Sequence, residues 1–195
     1  MRQKYHKPSL FVVLTLYLAW LASMQSVFAQ GHPEYIPLGG GVKGVLYRPD
    51  SNPSSHVGII IIHRTSNYLQ HQGCTQFSQR GFMVLCMNSR FDNNEALVDW
   101  ELIALDVKRG VDYLRNTQHM SKVIMFGHSG GGPTTTFYQA VAEAGPSYCQ
   151  GANKLTQCDN SNNVYNGLTP ADGLVLVDAH PGNRKRIASH QSRRP

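Results

Sequence analysis

The run Val57-Gly58-Ile59-Ile60-Ile61-Ile62 constrains this chain more than any other stretch of it. A strand with one wet face alternates apolar and polar residues. An unbroken, β-branched run must instead be covered on both sides, as in a mostly parallel sheet flanked by helices. Phe82-Met83-Val84-Leu85-Cys86-Met87 repeats that character after a segment over 67–80 that reads as a helix ended by Gly81. Trp100, Ile103, Val107, Val111 and Leu114 then recur at intervals of three and four, which places one apolar stripe on a helix over 99–115. A strand over 122–126, a glycine-rich turn, a helix over 133–143 and a last buried strand over 173–178 continue the alternation. Ahead of it, two short apolar runs within 35–49 flank Gly39-Gly40-Gly41, the pattern of an antiparallel hairpin. The expected class is α/β, a mostly parallel sheet with helices on both faces and right-handed crossovers.

The two ends of the chain read differently from this body. Arg2, Lys4 and Lys7 precede an apolar stretch over 10–22, and Val27-Phe28-Ala29 ends the segment, so residues 1–29 read as a secretory leader cleaved after Ala29. An uncleaved anchor is the other reading, although the stretch is shorter than the roughly 20 residues that span a bilayer. Either way the body, residues 30–182, is expected outside the cytoplasm, periplasmic or secreted, touching a membrane only through the leader. The net charge of +6 sits largely in the leader and in a basic irregular tail over 183–195 with Arg184, Lys185, Arg186, Arg193 and Arg194. No aromatic residue is interleaved with these charges, so a solvated tail is expected and no nucleic-acid partner.

An oxidising destination permits disulfides among the four cysteines. Cys149 and Cys158 lie in a polar stretch with little apolar content to hold it, where a bridge would staple the loop. Cys74 and Cys86 fall in a helix and a buried strand, and two thiols or a second bridge are both open. No Cys/His spacing suits zinc, and no metal or cofactor is expected.

Gly127-His128-Ser129-Gly130-Gly131 fits G-x-S-x-G between a strand and a helix. A serine on so sharp a turn is pushed out above the sheet, and the following helix brings its N–H groups and dipole to bear on an oxyanion. The plainer reading makes this serine a helix cap. With this turn as third strand end of the parallel set, residues 57–182 resemble roughly the first two-thirds of the α/β-hydrolase fold. The strand end Leu176-Val177-Asp178-Ala179-His180-Pro181-Gly182 is most similar to exported bacterial members.

The resemblance implies a serine hydrolase that forms an acyl-enzyme on Ser129 with a small-molecule ester or amide. It implies one oxyanion donor at the N–H of Gly130 and a second in the loop His63-Arg64-Thr65-Ser66-Asn67, at Thr65 or alternatively Arg64. The family's usual His-Gly stands here as His63-Arg64, with His63 expected to brace the loop. Asp178 is the acid in a plausible place, or simply a strand-end carboxylate. No histidine suits the base. His128 adjoins the nucleophile and points elsewhere, His180 is only two residues from Asp178, and His190 lies in the tail. The sequence therefore reads as a hydrolase truncated before its last strands and impaired for that reason. The alternative is a non-catalytic remnant or binding protein of the same fold.

Overall fold

The computed structural model describes residues 33–49, 55–151, 154 and 156–180. The expected leader, the basic tail and His190 lie outside them. Among the described residues, six strands form one sheet in the order β1-β2-β4-β3-β5-β6. β1 (Pro33–Gly39) and β2 (Val42–Tyr47) are the expected hairpin, turned by Gly39, Gly40 and Gly41 at φ of 79°, 60° and 83°. β2 pairs antiparallel with β4 (Met83–Asn88). β3 (Val57–His63) lies parallel between β4 and β5 (Lys122–His128), and β6 (Gly173–Val177) lies parallel to β5 at the edge.

The strand β3 shows why its sequence carries no polar residue before His63. Ile60 and Ile62 join Leu85, Met87, Val123 and Met125 on one face, under α2 (Trp100–Asp112) and α3 (Gly131–Ala144). Ile59 and Ile61 turn to the other face with Val84, Cys86 and Cys74, under α1 (Gln72–Ser78). Helices thus cover both faces, and Ile60, Ile61 and Ile62 are fully buried. Each such side chain contributes about 1.5–3 kcal/mol of transfer free energy. The stripe on α2 is equally well buried at Ile103, Val107, Val111 and Leu114. Asp99 caps its start by accepting the N–H groups of Glu101 and Leu102, and a π-turn over Tyr113–Thr117 carries Leu114 into the core.

Two details depart from the sequence reading. The helix expected over 67–80 begins only at Gln72, because polar side chains claim the preceding amides. Tyr68 N–H donates to Asn88 Oδ1 (2.7 Å) and Leu69 N–H to Asn67 Oδ1 (3.1 Å), after which His71 caps Gly73 N–H (3.0 Å). The run over 173–178, expected to be buried, is an edge strand with Val175, Leu176 and Val177 exposed by 43%, 50% and 41%. An apolar run specifies the strand but not the elements laid over it. β6 is held instead from its N-terminal end. The Asp172 carboxylate accepts Val123 N–H (2.9 Å), Arg115 Nη2 (2.7 Å) and Lys122 Nζ (3.0 Å).

The cysteines resolve into two bridges. Cys149–Cys158 closes the polar loop as expected, and Cys74–Cys86 joins α1 to β4 with Cα atoms 6.2 Å apart. The choice left open for Cys74 and Cys86 falls to the bridge. Among the described residues no helix is long and apolar enough to cross a membrane.

Candidate active site

β5 ends at His128 and α3 starts at Gly131, so the chain reverses within two residues. Ser129 takes up the reversal at φ 52°, a left-handed conformation that L side chains adopt at a cost. Two backbone bonds hold it there. Its N–H donates to Val177 C=O on β6, and its C=O accepts the N–H of Gly132, both at 3.1 Å. The flanking glycines answer close contacts. A Cβ on Gly127 would come 2.6 Å from Thr135 Oγ1, and one on Gly130 would run into His63 Nε2 and Arg64 Nη1. Ser129 is half-buried. Neither its hydroxyl nor the N–H of Gly130 makes a hydrogen bond among the described residues.

The loop after β3 lies beside this turn. His63 Nδ1 accepts the N–H groups of both Thr65 (3.1 Å) and Ser66 (2.9 Å), so His63 braces the loop. The Thr65 amide, expected to face an oxyanion, is therefore turned onto the His63 ring. Burial, reinforced by the Arg64 charge, pushes the His63 imidazole down to about 4. Thr65 Oγ1 donates to Glu95 Oε2 (2.6 Å), and Ser89 Oγ donates to the Arg64 carbonyl.

The Arg64 side chain lies beside the turn, with its Nη1 against Gly130. Its Nε and Nη2 both meet Glu95 Oε1 at 2.8 Å, its Nη1 lies 3.0 Å from His180 Nε2, and its guanidinium sits 5.9 Å from the Trp100 ring centre. The Thr65 hydroxyl bond, together with Arg64, holds the Glu95 carboxyl below its usual range. Glu95 went unnoticed in the sequence, and no local signal marks it, since its partners lie some thirty residues upstream.

Among the described residues no hydrogen bond links Ser129 to Asp178, the expected acid, or to a histidine. Asp178, at φ 47°, is exposed at the end of β6 and makes no hydrogen bond among the described residues. His180 faces Arg64. His128 turns toward α1, where its Nδ1 lies 3.0 Å from Tyr68 Oη and 3.2 Å from His71 Nε2, and its carbonyl accepts the Tyr68 hydroxyl (3.2 Å). Burial, then His128, lowers the His71 pKa. A cavity of about 600 Å³ opens at the loop, lined by Thr65, Ser66, Asn67, Asp92, Asn93 and Glu95, without Ser129. Among the described residues no group of three or more His, Cys, Asp or Glu is placed to hold a metal ion.

No protein-family model matches this chain, and no curated protein matches it. Solved structures do. The siderophore hydrolase EstB from Aspergillus fumigatus superposes with a TM-score of 0.51 over 74% of this chain and 41% of its own, at 8% identity. The fold is that of the α/β-hydrolases. Two further structures are similar over comparable stretches. A brefeldin A esterase, described as a bacterial homologue of human hormone sensitive lipase, gives 0.47 at 19% identity over 71% of this chain and 45% of its own. XC6422 from Xanthomonas campestris, described as an a/b serine hydrolase without lid, gives 0.48 at 14% identity over 75% and 70%. The chain spans less than half the length of the EstB and brefeldin A esterase structures.

Proposed function

We propose that this chain is a serine hydrolase acting on carboxylic esters, or amides, through an acyl-enzyme on Ser129. One observation carries the reading. Ser129 is held at φ 52° between β5 and α3 with its hydroxyl unengaged among the described residues, and strain of that kind persists where function requires it. The adjacent N–H of Gly130 stands at the start of a 14-residue helix, where the dipole favours negative charge. In the reaction, Ser129 Oγ bonds to the carbonyl carbon as its proton passes to a general base. The alcohol or amine then leaves with a proton, and water releases the acid. Among the described residues none is seated as that base, and Asp178 stands near the turn as an acid without a partner.

That last observation favours a second reading, a non-catalytic α/β-hydrolase-like protein that binds through the face around Ser129. A fluorophosphonate probe on the full chain separates the two. Labelling that disappears in Ser129→Ala supports the hydrolase, and folded protein that takes no label supports the binder. The two disulfides and the leader-like segment favour action outside the cytoplasm. Recovery of the processed, bridged chain from the periplasm or medium of an expressing cell tests this.

A further inference from the structure

The Thr65 amide is turned away, which leaves the Arg64 amide and the side chains beside Gly130 as candidates for a second oxyanion donor. The amides of Thr65 and Ser66 both point at His63 Nδ1. The Arg64 side chain is anchored through Nε and Nη2 on Glu95 and through one Nη1–H on His180, and its remaining N–H groups belong to a cation already paired with a carboxylate. The same two amide bonds determine the His63 tautomer. A nitrogen that accepts two N–H groups carries no proton, so the proton of the neutral ring sits on Nε2. That Nε2–H has no acceptor among the described residues, and it lies against Gly130, where a Cβ would collide both with it and with Arg64 Nη1. The ring edge thus overlies the residue whose own N–H is the first donor. We propose that His63 is a catalytic residue whose Nε2–H, paired with the Gly130 N–H, holds the oxygen that gains charge when Ser129 attacks.

This assignment rests on the hydrolase reading of Ser129 and adds the identity of the second donor. A neutral imidazole suits the task. It gives one fixed donor whose bond strengthens as the oxygen becomes an anion, so it favours the transition state over the bound ester. Burial, aided by the Arg64 charge, keeps the ring neutral down to about pH 4. The resulting division of labour is local. Nδ1 organises the loop, and Nε2 faces the reacting oxygen.

The test uses the full chain and the rate of fluorophosphonate labelling at Ser129. Ser129 Oγ bonds to phosphorus, fluoride departs with its electron pair, the hydroxyl proton passes to solvent, and the phosphoryl oxygen takes the oxyanion position. His63→Asn is the informative variant. Its Oδ1 stands where Nδ1 did and still accepts from Thr65 and Ser66, but it has nothing at the Nε2 position. The expected result is labelling about 10² to 10³ slower at saturating probe, with the half-saturating concentration unchanged. Labelling within a few-fold of wild type overturns the assignment and leaves the loop brace alone. Imidazole NMR of the wild-type adduct reads the same bond without a substitution. The Nε2 proton moves downfield and becomes protected from exchange if it binds the phosphoryl oxygen, and an unmoved resonance overturns the proposal. If the wild-type chain takes no label, the hydrolase reading falls and this assignment with it. If wild type labels and His63→Asn labels equally fast, only the assignment falls.

Discussion

Arg64 Nη1 and His180 Nε2 meet at 3.0 Å, tying the loop after β3 to the end of β6. A guanidinium only donates, so His180 Nε2 accepts. A lone pair held by Arg64 is not free to draw a proton from Ser129, which gives a physical reason, beyond closeness to Asp178, why His180 is not the base here.

Arg64 therefore acts as a strut, and its removal has a measurable cost. Its side chain is only 10% exposed while its partner Glu95 is 58% exposed, so solvent screens one end of the pair. Arg64→Ala is expected to lower stability by about 1–2 kcal/mol, the range for hydrogen bonds to charged groups after that discount. In a double-mutant cycle with Glu95→Gln, urea denaturation should show the two substitutions to be non-additive. Full additivity would mean that the pair holds nothing.

Ser129 offers the opposite sign. The φ of 52° costs a residue with a Cβ about 1 kcal/mol or more, and glycine almost nothing. Ser129→Gly should abolish fluorophosphonate labelling and at the same time raise stability by about 1 kcal/mol in urea. Ser129→Ala should abolish labelling without the gain, because alanine keeps the strain. Equal stability of the two variants would show that the turn is relaxed.

The contrast between Ser129 and Thr65 shows how far a sequence reading reaches. The sheet and its helices were legible because apolar periodicity reports burial directly, as at Ile60 to Ile62 and along the α2 stripe. The serine turn was legible because glycine marks it. The donor loop was not, because whether the Thr65 amide faces a substrate or the His63 ring depends on a few dihedral angles that no residue type encodes. The exposure of Val175, Leu176 and Val177 escaped for a related reason, since covered and uncovered edges carry the same residues. Cys74 and Cys86 needed the packing of α1 on β4 before their distance was defined.

That bridge is itself testable. Cys74 and Cys86 are fully buried and separated by 12 residues, a loop whose closure contributes about 3 kcal/mol in the chain-entropy account. Cys74→Ser with Cys86→Ser should lower stability by about that amount. Alkylation of the denatured, unreduced wild-type protein should find no thiol, since both pairs are bridged. A reactive thiol before reduction would contradict the pairing.

Acid should weaken the fold through the same histidine that braces the donor loop. In the unfolded chain His63 titrates near its ordinary value of 6.5, whereas in the fold burial and the neighbouring Arg64, partly countered by Glu95 and aided by His180 and His128, bring it to about 4. Between these values the unfolded chain holds more proton than the native one, so stability rises with pH across the window and falls as pH drops through it. One such proton corresponds to a slope of at most about 1.4 kcal/mol per pH unit. His71, lowered by burial and His128, adds to the slope with the same sign. Asp172, held down to about 2 by the Val123 N–H and then by Lys122 and Arg115, extends the loss below pH 4 as its carboxylate is neutralised. Urea midpoints measured from pH 7.5 to 4 should therefore fall steadily, and His63→Asn should flatten the curve by up to one proton while leaving the His71 contribution. An unchanged slope in that variant would mean that His63 takes up its proton as readily in the fold as in the unfolded chain, and a protonated Nδ1 could accept neither the Thr65 nor the Ser66 amide.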